Sequence, residues 1–180
     1  MFSGAVLAGG RSSRFGSDKA RHVYQGKALA SWVLDSLESA HERFIVANTS
    51  YPEFGVNVYP DLAKVQSPLT GIHSALTHAK REWVAVAACD LPFLIPAYWA
   101  KLLAYREDAQ AVVVARPGGL EPLAALYHKD LAPLIAQRLQ QDERAVHSFL
   151  TSLEVHFIPW EKLNLPPRTL TNVNTEADLM

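Results

Sequence analysis

Trp83-Val-Ala-Val-Ala-Ala-Cys89 restricts the fold more than any other segment, because it runs without a polar side chain and then meets Asp90 and Leu91-Pro92. A strand with one wet face would alternate apolar and polar residues; a run without alternation belongs to a strand covered on both faces. Phe2 to Ala8 has the same character and stops at Gly9-Gly10. Between these runs the period changes. Leu29, Trp32, Val33 and Leu37 recur at helical spacing from Ala28, with Asp35, Ser36, Glu38 and Ser39 between them. Phe44 to Ala47 and Val56 to Tyr59 read as strands, and Thr70 to Lys80 reads as a helix leading into Trp83. Strand and helix thus alternate through the first two thirds, which predicts a three-layer α/β architecture. Its sheet is expected to be mostly parallel and Rossmann-like, with right-handed crossovers.

The last third reads differently. Val112 to Ala115, the turn Pro117-Gly-Gly119 and Pro122 to Tyr127 suggest a hairpin, followed by helices over Leu131 to Gln140 and Arg144 to Leu150 and a late strand over Glu154 to Ile158. Thr175-Glu-Ala-Asp178 has the spacing of a capping box, in which hydroxyl and carboxylate each satisfy a free amide at a helix start. With 180 residues and neither repeat nor low-complexity linker, a single domain is expected, carrying a C-terminal hairpin-containing subregion.

A formal net charge of −1 supplies no global basic field, so a nucleic acid polymer is not an expected partner. One cysteine, Cys89, rules out an internal disulfide and a cysteine-built zinc site. The first residues lack the charged and apolar regions of a targeting or membrane segment. A cytoplasmic protein without membrane contact is the expectation.

Gly9-Gly10 directly follows a strand, which allows main-chain amides to approach an anion closely. Arg11, Arg14 and Lys19 come within the next ten positions and match the charge of a triphosphate. A Walker loop would need Gly-Lys-Ser/Thr, but Gly16 is followed by Ser17-Asp18-Lys19; a dinucleotide fingerprint would need Gly-x-Gly, which Gly9-Gly10-Arg11 lacks. Two glycines alone fit a surface turn better than a phosphate site, and the three cations with the strand before them reverse that preference. Asp90, at the carboxyl end of the covered strand, falls on the rim where open parallel sheets bind ligands, so it shares an edge with Gly9 and Gly10. One or two carboxylates with phosphate oxygens and water suffice for Mg²⁺. The competing reading of Asp90 is a turn cap. Cys89 reads as core.

Leu7-Ala-Gly-Gly-Arg-Ser-Ser-Arg-Phe-Gly-Ser-Asp-Lys19 resembles the signature of the nucleotidyltransferases related to molybdenum cofactor guanylyltransferase, the MobA family, with Phe15 where methionine is usual. Cys89-Asp90-Leu-Pro92 resembles that family's Cys-Asp-x-Pro segment. The resemblance implies a fold of nucleotide-diphospho-sugar transferase type. It also implies that Leu7, Ala8 and Gly9 meet guanine and ribose, that Gly10, Arg14 and Lys19 hold phosphates, and that Asp90 carries the metal. Arg14, Lys19 and Asp90 are then the catalytic set. Asp61, by itself an ordinary turn residue, stands where the family has a nucleotide-binding aspartate, and Asn48 at another strand end is a further nucleotide ligand. The family's Gly-Pro-Leu-x-Gly loop beneath the base appears as Ser67-Pro-Leu-Thr-Gly71, its first glycine replaced. On the acceptor side, Glu121 to Tyr127, Arg144 to Phe149 and Thr171-Asn-Val-Asn-Thr175 resemble family segments, nominating Arg144, Asn172 and Asn174 as acceptor ligands. Asn172 and Asn174 fit backbone-anchoring loop residues equally well. The histidines, His73, His78 and His147 among them, show no metal-site spacing.

The implied reaction moves GMP from GTP to the terminal phosphate of molybdopterin with release of pyrophosphate. The nucleotide would bind to residues 1 to about 110 and the acceptor to about 111 to 180. Other molybdenum cofactor biosynthesis proteins or acceptor enzymes are further candidate partners. Three rivals stay open: a molybdopterin cytidylyltransferase, a sugar- or polyol-phosphate nucleotidyltransferase, and a non-catalytic nucleotide sensor. A dinucleotide-dependent oxidoreductase is disfavoured by the missing Gly-x-Gly.

Overall fold

The computed structural model describes residues 1–9 and 18–179. Its elements run β1 (Ser3–Leu7), β2 (Val23–Tyr24), β3 (Lys27–Ala28), α1 (Leu29–Ser36), β4 (Glu42–Val46), β5 (Asn57–Tyr59), α2 (Pro68–His78) and β6 (Trp83–Ala88). There follow α3 (Pro96–Leu103), β7 (Ala111–Arg116), β8 (Gly119–Leu120), β9 (Ala124–His128), α4 (Ala132–Gln140), α5 (Val146–Thr151) and β10 (Val155–Pro159). Short 3-10 turns include Lys19–Arg21 and Pro167–Leu170.

Among the described residues the main sheet has the order β10-β7-β9-β6-β1-β4-β5, with β8 paired to β7 and β2-β3 forming a separate ribbon. β1 lies parallel to both β4 and β6, and β5 parallel to β4. The hairpin region makes the exception: β9 inserts antiparallel between β6 and β7, and β10 then runs parallel to β7. The sheet is mostly parallel, as the unalternated runs predict.

Burial shows why those runs lack polar residues. Along β1, Val6 packs with Val33, Leu37, Ile45, Trp99 and Leu102 on one face, while Ala5 and Leu7 pack with Phe44, Leu69, Ile72 and Leu76 on the other. Helices α1 and α3 therefore cover one face and α2, α4 and α5 the other, giving three layers. Each fully buried Leu, Ile or Phe contributes about 1.5–3 kcal/mol relative to exposure. Ser36, a buried polar group under α1 and α3, is satisfied: its Oγ donates to Val33 O at 2.7 Å and accepts from Trp99 Nε1 at 3.1 Å.

Two local expectations needed correction, and one helix has no counterpart in the sequence reading. Helix α3 lies beyond Leu91-Pro92, where the sequence suggests no element; Pro96 stands in its first turn, where its missing amide leaves nothing unsatisfied. The second late helix is shorter than Arg144 to Leu150 suggests, since it begins at Val146. At Thr175 only half of the capping box forms. The Asp178 carboxylate accepts the Asn174 and Thr175 amides at 2.8 and 2.7 Å, but the Thr175 hydroxyl turns onto that same carboxylate at 3.1 Å. The capped segment is a 3-10 turn, Glu176–Leu179.

Candidate active site

The register of the parallel strands determines which side chains meet. Leu7 lies opposite Val46 on β4 and Ala88 on β6, and Val46 lies opposite Tyr59 on β5. Gly9, Asn48, Asp61 and Asp90 consequently leave their strands along one rim. Two hydrogen bonds extend the ladder past the strand ends, Ala8 N to Val46 O at 3.0 Å and Cys89 N to Leu7 O at 3.0 Å. From the other direction β9 begins on the same rim, with Ala88 N bonded to Leu123 O at 2.8 Å.

A cleft of about 860 Å³ opens there, within the range of about 300–1,000 Å³ typical of small-ligand sites. Leu7, Ala8, Gly9, Asn48, Asp61 and Asp90 line it, joined by Lys19. All seven belong to the nucleotide and metal set that the sequence nominates. Gly10 and Arg14 lie outside the described residues.

Lys19 stands at the start of the 3-10 turn that follows Asp18. Its Nζ is 3.1 Å from Asp90 Oδ2 and donates to Asn174 Oδ1 at 3.0 Å. Both Lys19 and Asp90 retain 19% of their side-chain exposure, so the pair faces the cleft from a largely covered position. The other carboxylate oxygen, Asp90 Oδ1, is buried and has no hydrogen-bond partner among the described residues. A buried anionic oxygen without a donor is costly unless a cation completes it. Asp90 Oδ1 thus fits a hard divalent cation, although no cluster of three or more His, Cys, Asp or Glu side chains exists among the described residues to hold one alone. Mg²⁺ characteristically takes one or two carboxylates and fills its remaining positions with phosphate and water.

Asn48 and Asp61 brace each other: Asn48 Nδ2 donates to Asp61 Oδ2 at 3.1 Å, and Asp61 N donates to Asn48 Oδ1 at 2.9 Å. A Cβ on Gly9 would come within 3.3 Å of Asp61 Oδ2, so the glycine allows this close approach. The replaced glycine of the base loop costs nothing in conformation. Ser67 adopts φ −155° and ψ 158°, open to any residue, and its hydroxyl caps α2 through Thr70 N at 3.2 Å. At the far end of that loop, a Cβ on Gly71 would meet Leu7 Cδ1 at 2.9 Å.

The acceptor set is only partly drawn in. Asn174 joins through Lys19, and Val173 N donates to Asp90 O at 2.8 Å, which docks the late Asn-Val-Asn segment onto the strand end that carries Asp90. Asn172 is exposed beside it. Arg144 does not line the cleft; its guanidinium is half exposed and bonded to Asp142 at 2.9 and 2.5 Å, so Asp142 supplies the neighbouring anion that an arginine before a helix favours. Glu121 pairs with Arg116 at 2.5 Å, and burial holds its carboxyl above the usual range, partly opposed by Arg116. Cys89 lines the cleft floor from a buried position, and burial together with the Asp90 charge pushes its thiol up to about 12.

Sequence reasoning missed Asp18 and Tyr51, both of which line the cleft. Asp18 carried a usable signal, an N-cap residue directly before a basic turn. Tyr51 carried none, because its partner lies 33 positions away.

Comparison with known proteins agrees with this geometry. A family model described as the MobA-like NTP transferase domain matches residues 4–156. A probable molybdenum cofactor guanylyltransferase of Deinococcus radiodurans is 37% identical over 186 residues, covering 97% of this chain and 90% of that protein. One from Carboxydothermus hydrogenoformans is 38% identical over 180 residues, covering 97% and 91%. The crystal structure of molybdopterin-guanine dinucleotide biosynthesis protein A from Archaeoglobus fulgidus superposes with a TM-score of 0.85 at 28% identity, covering 98% of this chain and 94% of that one. The sheet that places a glycine strand end, a lysine and an aspartate on one rim is therefore a nucleotidyltransferase scaffold, and the chain belongs to the MobA-like NTP transferase family.

Proposed function

We propose that the protein transfers GMP from GTP to the terminal phosphate of molybdopterin, forming a guanine dinucleotide cofactor and pyrophosphate. The observation that carries this reading is the meeting of Lys19, Asp90 and Asn174 at the rim of the cleft, with Asp90 Oδ1 buried and without a partner among the described residues. Relatives named as guanylyltransferases support the choice of nucleotide and acceptor.

The acceptor phosphate is already anionic, so the reaction needs positioning and charge neutralisation more than an enzyme nucleophile. Leu7, Ala8 and Gly9 present the strand end to the nucleoside, braced by Asn48 and Asp61. Lys19 meets phosphate oxygens and stabilises the negative charge that gathers on the departing pyrophosphate. Asp90 is the residue to hold Mg²⁺, which when bound supplies Lewis-acid stabilisation of phosphoryl oxygens. Asn174 orients Lys19 from the acceptor side, and Asn172 stands next to it for contact with the incoming molybdopterin phosphate. Arg14 and Gly10 extend the phosphate set, and Arg144 is assigned to the outer acceptor surface. In this scheme residues 1 to about 110 bind nucleotide and about 111 to 180 bind acceptor, within one domain, and the protein works in the cytoplasm.

The test supplies intact molybdopterin, Mg²⁺ and each nucleoside triphosphate in turn and records pyrophosphate release. GTP is expected to support the reaction. Preference for CTP overturns the guanylyl reading, and release with none of the four while nucleotide still binds favours a sensor.

A further inference from the structure

Between the phosphate side of the cleft and the loop after β4 lies a compact polar knot that the reaction scheme does not use. The Asp18 carboxylate is its centre. Asp18 Oδ1 accepts from Ala20 N at 3.0 Å, capping the turn Lys19–Arg21, and from the Tyr51 hydroxyl at 3.0 Å; Asp18 Oδ2 accepts from Arg21 Nη1 at 3.0 Å. Arg21 then reaches the other segment three times. It donates to Ser50 O at 2.8 Å, pairs with Glu53, and sets its guanidinium carbon 4.6 Å from the centroid of the Tyr51 ring. Tyr51 is 2% exposed and packs against Phe54, with ring centroids 5.4 Å apart. Its hydroxyl therefore has little freedom, and burial and the Asp18 charge keep it protonated and donating.

We infer that Tyr51 is a positioning residue: through Asp18 its hydroxyl fixes the turn from which Lys19 projects, and so sets where the Lys19 ammonium stands over the cleft. Three features support this. Asp18 is the residue immediately before Lys19, and its carboxylate caps the turn through Ala20 N, so its orientation is coupled to the backbone from which Lys19 projects. The Tyr51 hydroxyl is a buried donor bonded to that carboxylate, and a buried donor of this kind holds its acceptor in one orientation. Tyr51 also follows Asn48 by three positions, so the segment that braces Asp61 and the segment that carries Lys19 are tied together. Nucleoside and phosphate contacts are thereby held at a fixed spacing, which is the geometric requirement for transfer catalysed by positioning.

The kinetic consequence rests on the guanylyl-transfer reading above; the placement of Lys19 does not. Tyr51→Phe removes one oxygen and keeps the packed ring. Two measurements on the full-length protein test the inference. In the first, the side-chain NMR signal of Lys19, assigned by its loss in Lys19→Met, is compared in wild type and Tyr51→Phe without substrate. A shift of the Lys19 signal toward that of an exposed lysine, with the signals of Trp99 and Val86 in the core unmoved, is expected; an unchanged Lys19 signal overturns the inference. In the second, kcat with GTP and molybdopterin is expected to fall about tenfold with KM for GTP within about threefold. That loss is smaller than the roughly 10²-fold cost of a full 1 Å misplacement. The same substitution made in a Lys19→Met background is expected to have no further effect on kcat, because the hydroxyl acts through Lys19. An equal loss in both backgrounds marks a general structural role and overturns the positioning role. If wild type shows no turnover, the functional reading fails while the NMR comparison still decides the placement of Lys19.

Discussion

Lys19 and Asp90 lie 71 positions apart and meet at 3.1 Å, with the ammonium on one carboxylate oxygen and the other oxygen buried without a donor among the described residues. The lysine therefore neutralises the aspartate from one side only, and the second side remains suited to a divalent cation. Asp90→Ala is expected to lower turnover about 10²- to 10³-fold, the usual scale for one lost electrostatic contact in a transition state. Lys19→Ala is expected to fall in the same range, and the double variant to lose less than the product of the two, because the residues act as one unit. Initial rates with GTP and molybdopterin check all three; wild-type-like turnover in Asp90→Ala would remove Asp90 from the mechanism.

Gly71→Ala separates binding from stability. Alanine in α2 gains about 1 kcal/mol of helix propensity over glycine, but its Cβ would stand 2.9 Å from Leu7 Cδ1. Leu7 lines the cleft, so its side chain has room to yield in that direction. The gain and the strain offset each other, leaving Tm within a few degrees, at about 2–4 °C per kcal/mol for a chain of this size. KM for GTP is expected to rise several-fold as Leu7 intrudes on the nucleoside. A calorimetric scan paired with steady-state kinetics decides it.

His73 and His78 predict a loss of stability on mild acidification. Burial holds both imidazoles below their usual value, with His78 assisting the shift at His73 and a hydrogen bond with Pro60 partly opposing it at His78. His73 Nδ1 and His78 Nε2 are buried without partners among the described residues, and the His78 ring stacks on Tyr59 at 4.3 Å. A depressed folded value means that the unfolded chain takes up protons first. The contribution is fully present above about pH 6.5, the unperturbed histidine value, and is lost as pH falls through the folded values. Denaturant midpoints should therefore begin to drop below about pH 6.5, and His73→Gln with His78→Gln should flatten that limb.

Cys89, with its thiol pushed up to about 12 and its side chain buried, is expected to resist thiol reagents in the native protein at pH 8. Labelling should proceed only at the rate of global opening and accelerate sharply in denaturant. Rapid native labelling would show that the cleft floor opens locally.

Much of the layer architecture was legible because burial on both faces of β1 and β6 leaves a mark in the residues themselves, the absence of polar alternation. Gly9 and Asp90 were legible for a related reason: each comes just after the end of a strand, and parallel register brings such ends level. Asn48 and Asp61 were reached only through the family resemblance, Asp61 reading by itself as an ordinary turn residue. Which residues pair across the cleft was not legible. Nothing local in Asn174 or Tyr51 encodes that one would meet Lys19 and the other Asp18, since those contacts arise only when distant segments are packed. Helix α3 was not read from the sequence at all; its first turn begins at Pro96, a residue whose effect depends on whether it stands inside a helix or at its start. Arg144 shows the converse, a side chain whose chemistry suits an anionic ligand but which finds its anion in Asp142 next door.

The reversed strand β9 has a consequence for how such a scaffold diversifies. The parallel strands β1, β5 and β6 reach the rim by their exits, and the chain beyond each leads on to a helix, α1, α2 and α3. β9 reaches the rim by its entrance, after the short strand β8 and the link Glu121 to Leu123. Residues inserted or exchanged between β8 and β9 are fed to the cleft from outside the β1–β6 frame, and they leave Gly9, Lys19 and Asp90 in register. The inversion gives one sheet two kinds of access to its cleft: strand exits that carry Gly9 and Asp90, and a strand entrance whose approach can change without moving them.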